Sequence, residues 1–182
     1  RRTLMYTSLS VGRCSCVEGI TIVPRHPERF DEVAALVLDR ELHLVRRSEA
    51  SQKGSLQVNP MTQVYLADTM GEMLLLLASA DIAIIGGSFI EHGGHNPLEA
   101  CALSKAVVMG PSDYNFAAIS QQLISQGAMQ QTSGEQLTVC LRQLLERPEM
   151  CAEMGANGQR VVADNQGAVG RLTELVGQQL HR

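Results

Sequence analysis

Aromatic residues are scarce in this chain of 182 residues, and long hydrophobic runs are absent. Phe, Trp and Tyr together make up 3% of the sequence and Trp does not occur, which disfavours recognition through stacked aromatic side chains. A membrane-spanning helix needs roughly 18 or more consecutive apolar residues, whereas the longest apolar run covers only residues 73–78. The net charge of −4 provides no overall electrostatic footprint for nucleic acid, so we expect no nucleic-acid partner.

The five cysteines are few and scattered. Cys14 and Cys16 are separated by one residue and have no matching pair elsewhere, so their spacing does not indicate a zinc site. We therefore expect reduced, structural thiols in a cytosolic protein. The N-terminus carries no initiator Met and no continuous apolar segment, which favours a piece of a longer chain over a secreted precursor.

Apolar runs of strand length alternate with helix-length amphipathic segments along the chain. Hydrophobic residues make up 45% of the sequence, and they are mainly aliphatic, which suits a parallel sheet covered by helices. The sequence therefore predicts an α/β fold with a doubly wound parallel sheet. Strands are predicted over residues 3–8, 20–23, 42–45, 64–66, 81–87, 106–109 and 128–131. Helices are predicted over residues 28–40, 70–78, 97–103, 116–126, 134–145, 148–165 and 168–180, and a surface loop over residues 46–60.

The first crossover is unusually short. Only about a dozen residues lie between the first two predicted strands, close to the minimum for a parallel connection, and they carry no helical pattern. We therefore predict an irregular or degenerate first strand and crossover over residues 1–19, followed by one domain over residues 20–182. No internal repeat and no second core is evident.

Four polar or glycine-containing segments follow predicted strands, at residues 24–27, 68–72, 86–99 and 110–112. In an open parallel sheet, ligands bind beyond the carboxyl ends of the strands. Because the fold brings these ends to one edge, the four segments predict a binding site there.

The segment of residues 86–99 is the most informative of the four. Asn96 is a good helix N-cap, Pro97 fits the first helical position, and Glu99 falls three residues after the cap. A helix start preceded by glycines could cradle a phosphate, with Glu99 accepting hydrogen bonds from ribose hydroxyls. The alternative is an ordinary helix start in which Glu99 completes a capping box. His92 and His95 have a spacing that could suit a metal, but a third ligand is not evident, so we expect no metal.

Two other segments offer weaker signals. Arg25 lies between two prolines after a strand, which suits paired hydrogen bonds to a phosphate or carboxylate, although a surface arginine in a turn is the alternative. Asp68 or Thr69 could cap a helix whose first amides contact a base or phosphate, or serve routine capping alone. Ser88 has no nucleophile elbow around it. The phosphate loop of ATPases and the Gly-x-Gly-x-x-Gly fingerprint of dehydrogenases are also absent.

The motifs VPRHPERF (residues 23–30), DTMGE (residues 68–72) and GGSFIEHGGHNPLE (residues 86–99) closely resemble those of the Kdo transferases. The match continues at residues 110–111, 114–116 and 165–168. These enzymes move 3-deoxy-D-manno-octulosonic acid (Kdo) from CMP-Kdo to the lipid A precursor of lipopolysaccharide. The resemblance covers residues 20–180 and implies the Rossmann-like, donor-binding C-terminal half of a GT-B glycosyltransferase, in which two such domains face a cleft.

The resemblance also implies the residues that surround the CMP group of the donor. They are Pro24, Arg25, Met70, Gly71, Glu72, Asn96, Pro97, Leu98 and Glu99. CMP-Kdo is then a substrate, and no cofactor is expected. The lipid A precursor and the membrane surface would be met through an N-terminal domain, at the cytoplasmic face of the bacterial inner membrane. The chain by itself would be soluble and cytoplasmic.

Two departures from the family pattern bear on activity. The N-terminal domain, which binds acceptor and supplies the general base, is absent, so we expect no catalytic residue in this chain and no turnover by it alone. The family's acidic loop and helix after the first strand are also missing around residues 10–14. Two alternatives therefore stay open: a donor domain for another nucleotide sugar such as a UDP-sugar, and a non-catalytic, truncated remnant.

Overall fold

Seven parallel strands form one sheet in the computed structural model, which describes residues 4–7, 19–52, 61–91, 95–114 and 116–166. Four residues or fewer make up each strand, at the short end of the usual range. The strands are β1 (Leu4–Thr7), β2 (Ile20–Val23), β3 (Leu44–Arg46), β4 (Val64–Leu66), β5 (Ile82–Ile85), β6 (Ala106–Met109) and β7 (Met129–Gln131).

The strand order is β3-β4-β2-β1-β5-β6-β7. The chain moves outward from β1 in one direction as far as β3, then crosses back and continues from β5 to β7 on the other side. Thr7 at the end of β1 is in register with Val23 and with Ile85, and Ile85 is in register with Met109. The carboxyl ends of the central strands therefore lie at one edge of the sheet, as predicted for a doubly wound fold.

Seven helices are described beside the sheet. They are α1 (Phe30–Leu38), α2 (Arg47–Gln52), α3 (Met73–Ala78), α4 (Leu98–Ala102), α5 (Ala117–Ser125), α6 (Leu137–Glu146) and α7 (Pro148–Asn165). Short 3₁₀ turns cover Pro27–Arg29 and Gly86–Phe89. Within the described ranges, no helix is both long enough and apolar enough to span a bilayer.

Both faces of the sheet are buried, which explains the unbroken apolar runs in the central strands. Ala83 and Ile85 of β5 pack into one apolar cluster with Cys101 of α4, whereas Ile82 and Ile84 pack into another with residues of α6 and α7. A third cluster joins β2 and β4 to the inner face of α1. This alternation of burial confirms the predicted layers of helix, parallel sheet and helix.

A close helix contact places α7 against α4. A Cβ atom at Gly155 would lie 2.0 Å from the backbone oxygen of Ser104, just after α4. One turn later, a Cβ atom at Gly158 would lie 3.1 Å from the Cβ atom of Cys101. The two glycines thus allow α7 to pack closely against α4, the helix that begins at the end of the segment of residues 86–99.

Most predicted elements are present with small shifts of boundary, but the prediction of a loop from residue 46 is wrong at its beginning. Residues Arg47–Gln52 form α2, although every residue in this stretch except one is polar. Tertiary hydrogen bonds from Arg46 and Ser48 to Asp68 hold its first turn. Propensity alone could not predict this helix, since the stabilising partner lies 20 residues away.

The predicted helix over residues 70–78 begins later than expected, at Met73. Gly71 has a φ of +87°, a left-handed conformation that interrupts a helix. Asp68 and Thr69 therefore do not cap α3, and that prediction is wrong. Likewise, the strand predicted through residue 87 ends at Ile85, and the following glycines enter a 3₁₀ turn.

Some predictions fall outside the described residues: the crossover around residues 8–18, the cysteines at positions 14 and 16, and the helix over residues 168–180. The described strand β1 lies in the middle of the sheet, between β2 and β5. The proposed division at residue 19 stays a prediction.

Candidate functional site

The segments singled out in the sequence leave the sheet at its carboxyl edge. Arg25 comes two residues after the end of β2, and Asp68 two residues after the end of β4, the neighbouring strand. The 3₁₀ turn follows β5 directly, and Gly110 follows β6. Neighbouring strands in a sheet lie roughly 4.8 Å apart, so the four segments share one edge, as predicted.

A side-chain contact joins two of these segments. The Nη1 atom of Arg25 lies 3.0 Å from the Nδ1 atom of His95, directly before Asn96. Arginine offers only donors, so Nδ1 of His95 is the acceptor and its ring proton is on Nε2. The segment after β2 is thereby linked to the segment that opens α4, across the intervening strand β1.

The environment of His95 keeps its ring neutral. Burial lowers the pKa of His95 from its ordinary value of 6.5, and electrostatic interactions with the neighbouring Arg25 and His26 side chains lower it further. A neutral ring leaves Nδ1 free to accept the hydrogen bond from Arg25. Arg25 therefore favours the neutral form of His95, and the neutral form in turn accepts the hydrogen bond from Arg25.

The start of α4 offers backbone donors to a ligand. The side chain of Asn96 accepts a hydrogen bond of 3.0 Å from the N–H of Leu98, and the N–H of Cys101 donates to the carbonyl of Pro97. Between them, the N–H groups of Glu99 and Ala100 have no acceptor among the described residues. The side chain of Asn96 therefore closes the turn before α4, but α4 begins at Leu98 with Pro97 in the N-cap position, one residue later than predicted.

Glu99 is exposed and its carboxylate makes no capping-box hydrogen bond within the described part of the chain. The alternative interpretation of Glu99 as the partner in a capping box is therefore wrong. Pro97 is buried, in contrast, and serves to set the backbone of the turn. An exposed carboxylate beside free helix amides can accept hydrogen bonds from the hydroxyls of a ligand.

The segment after β4 is held by ion pairs at both ends. Asp68 accepts hydrogen bonds from Arg46 Nε at 2.7 Å and from the backbone and hydroxyl of Ser48 at 2.8 and 2.6 Å. Burial alone would raise the pKa of Asp68, but the hydrogen bonds from Ser48 and Arg46 outweigh it and lower the pKa. Arg46 also binds Asp31 of α1 at 2.7 Å, so one guanidinium ties three elements together.

Glu72 closes this segment. Its carboxylate accepts hydrogen bonds from Arg47 at 2.9 and 3.1 Å, and a further one from the hydroxyl of Thr69. The hydrogen bonds from Arg47 and then from Thr69 lower the pKa of Glu72. Between the two carboxylates, Met70 is 65% exposed and Gly71 turns the chain with a positive φ.

Ser88 has a structural role in the turn after β5. It is fully buried, its hydroxyl donates to the carbonyl of Ile85, and it accepts a hydrogen bond of 2.6 Å from the N–H of Gly110. A Cβ atom at residue 110 would lie 2.4 Å from the backbone oxygen of Ser88. Ser88 therefore joins the ends of β5 and β6, which agrees with the absence of a nucleophile elbow.

Sequence reasoning missed the contribution of Arg46, the last residue of β3, and of Arg47 and Ser48, which follow it. These residues leave the sheet at the same edge as the predicted segments, and a run of two arginines and a serine directly after a strand was the available signal. No group of three or more potential metal ligands is found in the described ranges; His92 lies outside them.

Comparison with known proteins identifies the family. The family model described as "Glycosyl transferases group 1" matches residues 15–161, which include every segment of the candidate site. The chain belongs to this family. The predicted fold class, a Rossmann-like parallel sheet of the kind found in the C-terminal half of GT-B glycosyltransferases, is confirmed by this match and by the similarity to a solved structure described below.

Two relatives of this group 1 chain are 3-deoxy-D-manno-octulosonic acid transferases. The protein from Haemophilus influenzae is 38% identical over 165 residues, which is 90% of this chain and 38% of the relative. The protein from Bordetella pertussis is 38% identical over 158 residues, which is 86% of this chain and 36% of the relative. The resemblance to the Kdo transferases is confirmed, and the chain spans little more than a third of the length of these relatives.

A solved structure is similar over most of the chain. It is the C-terminal CMP-Kdo binding domain of WaaA from Acinetobacter baumannii, with a TM-score of 0.72 and 36% sequence identity. The similarity covers 79% of this chain and 73% of that domain. The chain therefore shares both its fold and a substantial part of its sequence with this isolated domain.

Proposed function

We propose that this chain is the donor-binding half of a glycosyltransferase that moves Kdo from CMP-Kdo to the lipid A precursor of lipopolysaccharide. The relatives named as Kdo transferases and the similar CMP-Kdo binding domain support this proposal. The observation that carries it within this molecule is the contact of 3.0 Å between Arg25 and His95. That contact joins the strand-end arginine to the turn that opens α4.

In this proposal, CMP lies at the carboxyl edge of the sheet. The nucleotide contacts Pro24, Arg25, Met70, Gly71, Glu72, Asn96, Pro97, Leu98 and Glu99. A guanidinium has five N–H donors. The hydrogen bond to His95 uses one N–H of the Nη1 group of Arg25, and the Arg25 side chain is exposed. The remaining donors suit paired hydrogen bonds to a phosphate.

The proposed chemistry is departure of the CMP group. When the bond between Kdo and the phosphate breaks, negative charge collects on the phosphate oxygens. Arg25 and the N–H groups of Glu99 and Ala100 would stabilise that charge, because they are fixed in position before the reaction. The carboxylate of Glu99 would hold the ribose hydroxyls, and Arg25 or the start of α4 would also suit the carboxylate of Kdo.

The acceptor side of the reaction is proposed to belong to the rest of the transferase. The general base is expected there, and we assign no catalytic residue to this chain. The lipid A precursor and the membrane surface would be reached through that part, at the cytoplasmic face of the inner membrane. This chain would supply the donor, bound and oriented.

Titration calorimetry with CMP tests the proposed site. We expect the unaltered chain to bind CMP and Arg25→Gln to bind it at least about tenfold more weakly, since a hydrogen bond to a charged group contributes about 1.5–3 kcal/mol. Arg40→Gln provides the matched control, because Arg40 is an exposed arginine beyond the end of α1. Equal CMP affinities for the two variants would contradict the proposed role of Arg25.

A further inference from the structure

The turn between β4 and α3 is bound at both of its ends by residues 46–48, at the end of β3 and the start of α2. At one end, Asp68, whose side chain is 1% exposed, accepts hydrogen bonds from Arg46 and Ser48. At the other end, Glu72 accepts a two-pronged pair of hydrogen bonds from Arg47. Residues 69–71 lie between these two anchors.

The second anchor is the more informative, because it acts on a residue of the candidate site. Arg47 Nη2 lies 2.9 Å from Glu72 Oε1 and Arg47 Nε lies 3.1 Å from Glu72 Oε2. Thr69 donates to Oε2 as well. Both carboxylate oxygens thus have donors from within the protein, and the side chains of the pair are only about one quarter exposed. Partial burial strengthens such a pair relative to one on an open surface.

The anchored turn would be costly to order without these contacts. Gly71 adopts a positive φ, and glycine loses more conformational freedom on ordering than any other residue. Met70 is 65% exposed, with little packing to fix it. A turn that is already ordered before the ligand arrives loses less entropy on binding, which increases affinity.

We propose that Arg47 is a positioning residue of the nucleotide site: acting through Glu72, it holds the turn of residues 69–71 in the conformation that receives the nucleotide. This inference rests on the proposed function, in which residues 70–72 contact CMP. Arg47 itself does not contact the nucleotide in this proposal; it acts through the Glu72 carboxylate that it binds. The polar helix α2, which sequence patterning did not predict, is then the support for this arginine.

The chain contains a matched control for Arg47. Arg29, directly before α1, forms an ion pair of the same two-pronged kind with the exposed Glu32 in the first turn of α1, with distances of 3.1 and 3.2 Å. We expect Arg47→Gln to weaken CMP binding about tenfold, the size of effect that loss of supporting residues has at metal sites, and Arg29→Gln to leave it unchanged. Equal CMP affinities for both variants would overturn the inference.

A double-variant cycle separates positioning from direct contact with the nucleotide. If Arg47 acts through Glu72, then Arg47→Gln should add little loss of CMP affinity in a chain that already carries Glu72→Gln. If Arg47 instead contacts the phosphate, the full loss should appear in that background too. The second result would overturn the proposal, and so would full retention of affinity by Arg47→Lys, which keeps the charge but not the forked geometry.

Amide hydrogen exchange on the ligand-free chain keeps this inference separate from the proposed function. We expect faster exchange at residues 69–73 in Arg47→Gln and unchanged exchange there in Arg29→Gln. Failure of the unaltered chain to bind CMP would count against the proposed function while leaving this measurement valid. Unchanged exchange at residues 69–73 in Arg47→Gln would overturn the positioning role, whatever the outcome with CMP.

Discussion

Arg25 donates a hydrogen bond of 3.0 Å to the unprotonated Nδ1 of His95, 70 positions away in the sequence. The contact crosses the end of β1 and joins the loop after β2 to the turn before α4. It holds a positive side chain against the residue that precedes Asn96 and the start of α4, which suits an anionic ligand at this edge of the sheet.

The contact between Arg25 and His95 predicts a pH-dependent stability. The unfolded chain takes up the His95 proton near the ordinary pKa of 6.5, whereas the folded chain does so only at lower pH, because burial and Arg25 lower this pKa. The unfolded state therefore binds more protons, and stability is lost as pH falls from about 6.5 toward the lowered pKa. The free energy of unfolding, measured with urea at several pH values across this range, should depend less steeply on pH in both His95→Asn and Arg25→Gln than in the unaltered chain. Identical slopes in all three proteins would show that His95 is not the group responsible.

Substitution of Glu99 should affect CMP binding, whereas substitution of Asn96 should also affect the stability of the fold. Glu99→Ala should weaken CMP binding while the melting temperature hardly changes, because Glu99 is exposed and takes no part in capping. Asn96→Ala removes the hydrogen bond to Leu98 and should cost about 1 kcal/mol of stability. Calorimetric titration and thermal unfolding of both variants check this. A large loss of stability in Glu99→Ala would assign the residue to the fold instead of the site.

The fold and the site were predictable from sequence to different extents. The strand Ala106–Met109 and the helix Pro148–Asn165 have the predicted boundaries, since a fully buried strand reads as an unbroken apolar run and Pro fits a first helical turn. The helix Arg47–Gln52 was not predictable, because its polar residues carry no periodic apolar pattern and its first turn depends on Asp68.

The strand-end segments could be predicted as a group, because parallel topology determines which ends meet. Their individual contacts could not. The contact of Arg25 with His95 depends on β1 lying between β2 and β5, and a local pattern contains no information about that order. The ion pair that engages Glu72 depends in the same way on β3 and β4 being neighbours.

Ser88 should be needed for stability and not for binding. Its buried hydroxyl accepts from the N–H of Gly110, so Ser88→Ala leaves a buried donor unsatisfied at a cost of about 1–3 kcal/mol. Ser125→Ala is the matched control, since that hydroxyl lies at the exposed end of α5 and its loss should change stability by no more than about 0.5 kcal/mol. Chemical unfolding measures both. A Ser88→Ala protein as stable as the control would contradict the role of this hydroxyl.

The approach of α7 to α4 should tolerate no side chain at Gly155. A Cβ atom there would lie 2.0 Å from the carbonyl oxygen of Ser104, so Gly155→Ala should destabilise the chain by about 1–3 kcal/mol through overpacking. The higher helix propensity of alanine, worth about 1 kcal/mol, offsets part of this overpacking cost. Gly134→Ala, where no atom lies within 4 Å of the added Cβ, should be nearly neutral. Equal unfolding free energies for the two variants would mean that α7 lies farther from α4.

The central claim is that the carboxyl edge of this sheet binds the cytidine nucleotide of a Kdo donor. The most direct test is calorimetric titration of the chain with CMP, UMP and UDP under identical conditions. We expect CMP to bind more tightly than either uridine nucleotide and to raise the melting temperature as binding to the folded state requires. Tighter binding of UDP would assign the chain to another nucleotide sugar. A cooperative melt that no nucleotide shifts would contradict the account and favour a non-catalytic remnant.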